Sequence, residues 1–290
     1  KNCDKIEKWK FIKENFQIKK LYGKRVLFDE GKEFEGKLEL QYDNGNIHSE
    51  GEIKRGLKIG EWKTYYKTGE LKIKENFLSG LRQDKYYEYF KNGQIEIDGN
   101  FLDDMRTGEW KEYYENGNLK IKNRYVNGVD EGETIQYYEN GNINAIYNMR
   151  NGKEEGITKF YYETGELKNE TPFINGKEEG IKKFYYKNGN LYIEANYINN
   201  ELDGDIKVYK KNGDLDYIAP YKNGKPLTNK KLKASDDMVD EISQDLREIL
   251  GDDIKITVKE ENTLEDENKF SKTNIAYIFD NTGRNLEVIT

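Results

Sequence analysis

The chain has 290 residues, 36% of them charged, with a net charge of −7 and a mean hydropathy of −1.04. Such polarity alone leans towards disorder, but 23 tyrosines mark a chain that folds by burying rings in place of leucines. Interleaved lysine and glutamate with no basic stripe exclude nucleic acid as a partner; one cysteine, Cys3, excludes an internal disulfide or a multi-thiolate metal site; and no apolar run approaches the ~20 residues of a membrane helix, so direct membrane insertion is not expected.

The sequence begins at Lys1 rather than a methionine, as in a processed chain, and a removed signal peptide would suit an exported product. Residues 1–31 carry Trp9, Phe11, Ile12, Phe16, Ile18, Leu21, Val26, Leu27 and Phe28 without a fixed phase. This segment is expected to act as an N-terminal cap that protects the first strand edge.

From residue 32 to 224 the chain repeats. Glycines at Gly45, Gly69, Gly93, Gly117, Gly141, Gly165, Gly189 and Gly213 are 24 residues apart without an insertion, giving eight units. Nine residues before each lies another glycine, with Asp84 the exception, and two residues after each lies Ile or Leu. Eight residues after each comes an apolar residue, Ile53, Phe77, Phe101 and Tyr125 in the first four units. A second turn glycine follows at Gly80, Gly128, Gly152, Gly176 and Gly224, replaced by Asp104 and Asn200. Those substitutes tolerate positive φ, so the site reads as turn chemistry rather than a phosphate cradle.

Each unit therefore predicts strand, tight turn, strand, longer turn. A two-residue type I′ loop on Asn116-Gly117 pairs Glu115 with Asn118 and Tyr114 with Leu119. Alternation then places Trp110, Tyr114, Leu119, Ile121 and Tyr125 on one face and Lys111, Tyr113, Lys120, Lys122 and Arg124 on the other. A three-residue loop with a bulge would split the apolar set, which favours the type I′ register. Eight hairpins make an elongated single-layer antiparallel array of about sixteen strands, ~75 Å long if flat, that curls to shield its apolar face. Trp62, Tyr86 and Trp110 give way to Thr134, Thr158, Lys182 and Ile206, so the later units should pack more weakly or by other means.

Residues 225–290 read as a small α+β unit. Ser235 caps a helix that ends at Gly251, with Met238, Ile242, Leu246 and Ile249 on one face. Ile254, Ile256 and Val258 alternate as a strand, 260–268 is an acidic loop, and 275–279 and 286–289 are strands. Closing the end of the sheet is the expected role.

The pattern Gly-x-Trp-x-x-Tyr-Tyr-x-Asn-Gly-x-Leu, followed by aromatic-x-Asn-Gly, resembles the MORN repeat, and more closely its bacterial type 2 variant. The best matches run from Gly60 to Gly80 and from Gly108 to Gly128. The resemblance covers Gly31 to Gly224 and none of the C-terminal unit. It implies a non-enzymatic β-hairpin scaffold that binds proteins, either antitoxin-like or exported to the cell envelope. Lipid binding, proposed for the wider family, sits poorly with this chain's acidity.

No catalytic or metal-binding constellation emerges, and no cofactor is expected. His48 has no second histidine to work with. Glu154-Glu155 and Glu178-Glu179 recur at one turn position, whereas an active site is built once, so they read as solvated turn residues. Asp252-Asp253 lacks the ligand spacing of a calcium loop. The residues left for function are the tyrosines four before the anchors, Tyr65, Tyr89, Tyr113, Tyr137, Tyr161, Tyr185 and Tyr209, with Gln41 opening the row. They fall on the charged face, one per hairpin, and tyrosine amid charge is the composition of a protein-binding surface. The alternative is that the rings only stabilise the sheet. A protein scaffold at the cell envelope, binding through the tyrosine-bearing face or the apolar groove opposite, is the leading expectation, and an intracellular antitoxin that blocks a toxin is the other.

Overall fold

The computed structural model describes residues 16–21, 24–227, 255–266 and 269–279, and every regular element among them is a β-strand. The expected array of antiparallel hairpins is present. The unit about Gly117 is typical, pairing Met105–Tyr113 with Leu119–Val126. The array starts with Gly36–Gln41 paired to Ile47–Lys54 and ends with Lys225–Pro226 paired to Leu215–Lys222.

The first turn is not the type I′ loop expected from Asn116-Gly117. Tyr114 donates its N–H to the Asn118 carbonyl at 2.8 Å, and the Gly117 N–H reaches the Tyr114 carbonyl at 2.9 Å. Gly117 alone in this loop is left-handed, with φ at +88°. This is a three-residue loop, a type I turn closed by a left-handed glycine. Tyr113 consequently pairs with Leu119, but Glu112 pairs with Ile121, leaving Lys120 as an extra residue in a bulge. The loop shifts the register by one and the bulge shifts it back. Beyond it Trp110 meets Asn123 and Gly108 meets Tyr125, as a two-residue loop would have paired them. The face assignment therefore survives along the stem despite the wrong turn. It fails at the tip, where Leu119 lies opposite Tyr113 rather than Tyr114.

The type I′ geometry belongs to the second turn. Asn127 and Gly128 have φ of +50° and +80°, and Val126 pairs with Val129 across them. Asp104 at +66° and Asn200 at +70° take the left-handed conformation anticipated for the glycine substitutes.

Two compact units divide the chain, one of Lys1–Glu155 with Glu163–Gly165 and one of Gly156–Tyr162 with Glu166–Thr290. In the first, Phe16–Leu21, Lys24–Asp29 and Lys32–Glu33 form a three-stranded sheet. Its hairpin docks on the Arg55-Gly56 turn: Leu27 N–H donates to the Gly56 carbonyl and Gly56 N–H to the Phe34 carbonyl, both at 2.8 Å. Gly80 to Lys58 and Gly128 to Arg106 repeat that second bond at 2.9 Å, so the N-terminal hairpin is built like half a repeat. Leu27, Ile53 and Trp62 are buried together, flanked by Phe34, Leu38 and Phe77. Further along, Trp110 stacks on Tyr86 at 5.8 Å and meets Phe101 edge-on at 5.2 Å. The indoles of Trp62 and Trp110 lie against Gly51 and Gly99, where a Cβ would come within 2.3 Å of the ring. At Thr134, which replaces the tryptophan, Tyr147 stands directly opposite and supplies a ring from the partner strand.

The second unit is not short of core. Phe184, Ile193 and Ile206 are fully buried, with Ala195, Val208 and Ala219 beside them. Lys182 at the tryptophan position is buried too, pairing with Glu178 at 3.1 Å beneath the rings of Phe184 and Tyr197. Of the two outcomes expected for the later units, support by other means is the one observed.

Lys255–Asp266 and Lys269–Phe279 pair as one antiparallel hairpin. Residues 260–266 are thus strand rather than acidic loop. The expected helix from Ser235 to Gly251 and the strand at 286–289 lie outside the described residues.

Candidate protein-binding face

The two tyrosines of each hairpin do different work. The second of the pair is structural. Its hydroxyl donates to the backbone carbonyl of the first tyrosine in the next hairpin: Tyr42 to Tyr65 and Tyr66 to Tyr89 at 2.8 Å, Tyr114 to Tyr137 at 2.7 Å. In the second unit Tyr162 reaches Tyr185 and Tyr186 reaches Tyr209, each at 2.9 Å. The accepting carbonyls lie where the register shifts, so each hydroxyl satisfies an acceptor at a break in the ladder. Tyr114, expected on the apolar face, is therefore spent joining hairpins. Lysines cover these rings, as Lys72 and Lys91 do Tyr66 at 5.5 and 5.7 Å. The sequence row itself held the signal, because it stays tyrosine except at Phe90 and at Lys210, in the last hairpin, which has no successor.

The turn asparagines form a second staple. Asn116 and Asn118 both donate to the Glu139 carbonyl, at 3.2 and 2.8 Å, and Asn140 and Asn142 to that of Glu163, at 3.1 and 2.8 Å. The Asn-Gly dipeptide thus shapes its own turn and ties down the next.

The first tyrosines, the predicted contact residues, are half-buried: Tyr65, Tyr89, Tyr113 and Tyr137 in the first unit, Tyr161, Tyr185 and Tyr209 in the second. They lie on the charged face. The Tyr65 hydroxyl donates to Glu50 at 2.5 Å, Tyr185 to Glu170 at 2.8 Å and Tyr209 to Glu194 at 3.0 Å. Burial, and then the glutamate, push the Tyr65 and Tyr185 hydroxyls up to about 12, so they remain neutral donors at physiological pH.

Charge is organised in a row across the strands beside these rings. In the second unit Lys159, Glu170, Lys183, Glu194 and Lys207 stand opposite one another in turn, alternating in sign. The first unit breaks that rule, with Glu39 facing Glu50, Lys63 facing Lys74 and Lys111 facing Lys122. A neighbouring glutamate bridges each lysine pair. Glu61 holds Lys74 at 2.8 Å and Lys63 at 3.4 Å; Glu109 holds Lys111 at 2.7 Å and Lys122 at 2.9 Å. Lys74 foremost keeps the Glu61 carboxyl below its ordinary range, and Lys111 that of Glu109. Two open grooves mark this face, one of about 500 Å³ along Glu109, Lys122, Arg124, Glu133 and Ile135, the other of about 460 Å³ along Lys37, Glu39, Glu50, Glu52 and Lys63.

Residues considered for chemistry have other partners. His48 packs edge-on against Tyr42 at 4.9 Å and lies 3.1 Å from the Ser49 hydroxyl, so it does not stand apart. The recurring glutamates are more than solvated: Glu179 accepts the Asn199 N–H, and Glu131, at the same position of an earlier repeat, the Asn151 N–H, both at 2.8 Å, capping the next second turn. Glu260 lies in a strand. Cys3, Asp252 and Asp253 lie outside the described residues. Among the described residues no cluster of His, Cys, Asp and Glu could hold a metal ion, and no helix is long and apolar enough to cross a membrane.

A hairpin array stapled through turns and tyrosines, with a charged face and open grooves, defines a β-hairpin repeat protein. The chain belongs to the MORN repeat variant family, whose model matches residues 58–78, 106–127, 130–151, 154–175, 178–199 and 202–223. The units about Gly45 and Gly93 fall outside those matches yet form the same hairpin. Repeats of this family are generally associated with scaffolds that bind proteins or membranes, and are typically non-catalytic. Comparison with curated proteins gives no match. Among solved structures the chain is similar to alternansucrase in complex with isomaltononaose, at 16% identity and a TM-score of 0.23. That match covers 77% of this chain but 20% of the other, and at that score it carries no argument.

Proposed function

We propose that the chain is a non-catalytic scaffold that binds a protein partner through its tyrosine-bearing charged face, at the cell envelope. In this reading residues 32–224 are the binding module, 1–31 cap its start, and 225–290 cap its end. The observation that carries it is the division of labour between adjacent tyrosines. The second tyrosines account for joining the hairpins, whereas the first donate, at Tyr65, Tyr185 and Tyr209, to carboxylates on the surface. A sheet needing only stabilisation is served by one row. Rings fixed by hydrogen bonds also lose little entropy on binding.

The test is capture from a native lysate by the full chain and by a Tyr113→Ser/Tyr137→Ser/Tyr161→Ser variant. Loss of specific partners from the variant supports the reading, and equal recovery of the same partners rejects it. Fractionation decides the address: native protein found only in the cytosol rejects the envelope assignment and leaves intracellular blocking of a toxin as the role.

A further inference from the structure

The charged face of the first unit is locally cationic although the chain as a whole is acidic. Between Glu61 and Arg124 it carries Lys63, Lys74, Lys85, Lys111, Lys122 and Arg124 against Glu61, Asp98 and Glu109. Four of those lysines stand in two like-charged pairs, directly opposite across their strands. Such pairs cost stability, and the second unit avoids them by alternating sign along the same row. Breaking a local rule that neighbouring repeats keep is the mark of a functional site.

Each pair shares one carboxylate. Glu61 lies 2.8 Å from Lys74 and 3.4 Å from Lys63, and Glu109 lies 2.7 and 2.9 Å from Lys111 and Lys122. Two ammonium groups on one carboxylate leave a unit of positive charge and unused N–H donors. All four lysine side chains are a third or more exposed, from 33% at Lys111 to 44% at Lys122. A second carboxylate can therefore complete either triad from solvent.

The two triads lie on strands four apart, which at ~4.8 Å per strand is about 19 Å, the span of roughly six residues of extended chain. Between them the face presents Tyr87 and Tyr89, with ring centroids 6.3 Å apart, and the Asp98–Lys85 ion pair at 3.3 Å. A carboxylate midway disfavours a continuous polyanion such as a phosphate backbone or an anionic bilayer, and suits two discrete acidic points joined by neutral chain.

We propose that this part of the face binds an extended acidic segment of a protein partner, two of whose carboxylates, about six residues apart, complete the Glu61 and Glu109 triads while the chain between them crosses Tyr87 and Tyr89. The proposal rests on the reading that the charged face binds protein, and names the partner's chemistry.

The test titrates the full chain against a fluorescein-labelled peptide with two aspartate pairs about six residues apart in a Gly/Ser/Tyr background, at low ionic strength and again at about 0.15 M salt. Phosphatidylserine vesicles and an oligothymidylate are titrated in parallel. The expected result is saturable, salt-sensitive peptide binding that weakens about tenfold in Lys63→Gln/Lys74→Gln/Lys111→Gln/Lys122→Gln. In Lys159→Gln/Lys183→Gln/Lys207→Gln, which changes the alternating row, it should shift less than about twofold. Circular dichroism with an unchanged β-sheet signal qualifies each variant. Unchanged affinity in the first variant, equal loss in both, or lysine-dependent binding that favours vesicles or oligonucleotide over the peptide overturns the proposal. Lysate capture separates the two levels: partners lost with the tyrosine variant but kept with the lysine variant reject the acidic segment and leave the face, whereas partners kept by both reject the face.

Discussion

Adjacent tyrosines of identical chemistry are separated by one peptide bond and by function. Since the second hydroxyl supplies a donor to a ladder break, Phe90, the one ring in that row without a hydroxyl, leaves the corresponding carbonyl of Tyr113 without this donor. Phe90→Tyr should therefore stabilise the protein by about 0.5–1.5 kcal/mol, and Tyr114→Phe should destabilise it by a similar amount, both read from urea denaturation. A Phe90→Tyr that destabilises would show the staple to be incidental. The first row makes its own prediction through pH. Tyr65 and Tyr185 are raised from an ordinary 10.0 to about 12. A raised folded value means the neutral form is favoured on folding, so the added stability is complete below pH ~10 and is lost as pH rises towards ~12. Ultraviolet titration should show Tyr65 and Tyr185 ionising late, with Tyr86, which burial pushes up further still, later than both. Glu170→Gln should bring Tyr185 only part of the way back, because burial is the larger cause.

The hairpin shows what one sequence could and could not disclose about an element. The two Asn-Gly-type turns look alike in the hairpin about Gly117, yet they have different geometry, which explains why the stem was legible and the tip was not. Comparing the rows separates them. The residue before the anchor glycine is threonine at Thr68 and Thr164, and a β-branched residue resists the positive φ that type I′ requires at both positions. The residue at the corresponding place in the second turn is left-handed in every unit, and after Arg55 in the first it is Ser, Asp or Asn, from Ser79 to Asn223. Asn127→Thr should accordingly cost about 1 kcal/mol or more for the strained backbone, while Asn116→Thr carries no such strain and loses the bond to the Glu139 carbonyl, its hydroxyl replacing the amide oxygen that accepts the Asn118 N–H, for under about 1 kcal/mol. Equal penalties in thermal unfolding would mean that the two turns are not distinct. The candidate face was legible as far as alternation carries it, which is why Tyr65, Tyr185 and Tyr209 lie beside the charges predicted for them. The facing of Lys63 with Lys74 and of Lys111 with Lys122 follows from the same hairpin register; the facing between hairpins, such as Asp98 opposite Lys111, does not, because the two-residue register shift between Thr107 and Lys111 is invisible in a single unit.

At the scale of the molecule, the 24-residue phase sets both strand direction and facing. Deleting a whole unit, residues 82–105, joins Leu81 to Arg106 at equivalent positions, so every later strand keeps its direction and Trp110 keeps its face. The shortened chain should fold, with a denaturation m-value lower by roughly one-eighth of the array's share, since repeat stability is approximately a sum of unit and neighbour terms. Deleting only 82–93 removes one strand and one turn. Every following strand is then reversed, the stapling tyrosines move to the opposite edge from their acceptors, and the buried face of what remains points away from Trp62. That variant should lose cooperative unfolding altogether, although it removes half as many residues. If the half-unit deletion folds as well as the full one, local hairpin pairing rather than the repeat-to-repeat staples holds this sheet together. The tyrosine and asparagine ladders would then be consequences of the fold rather than causes.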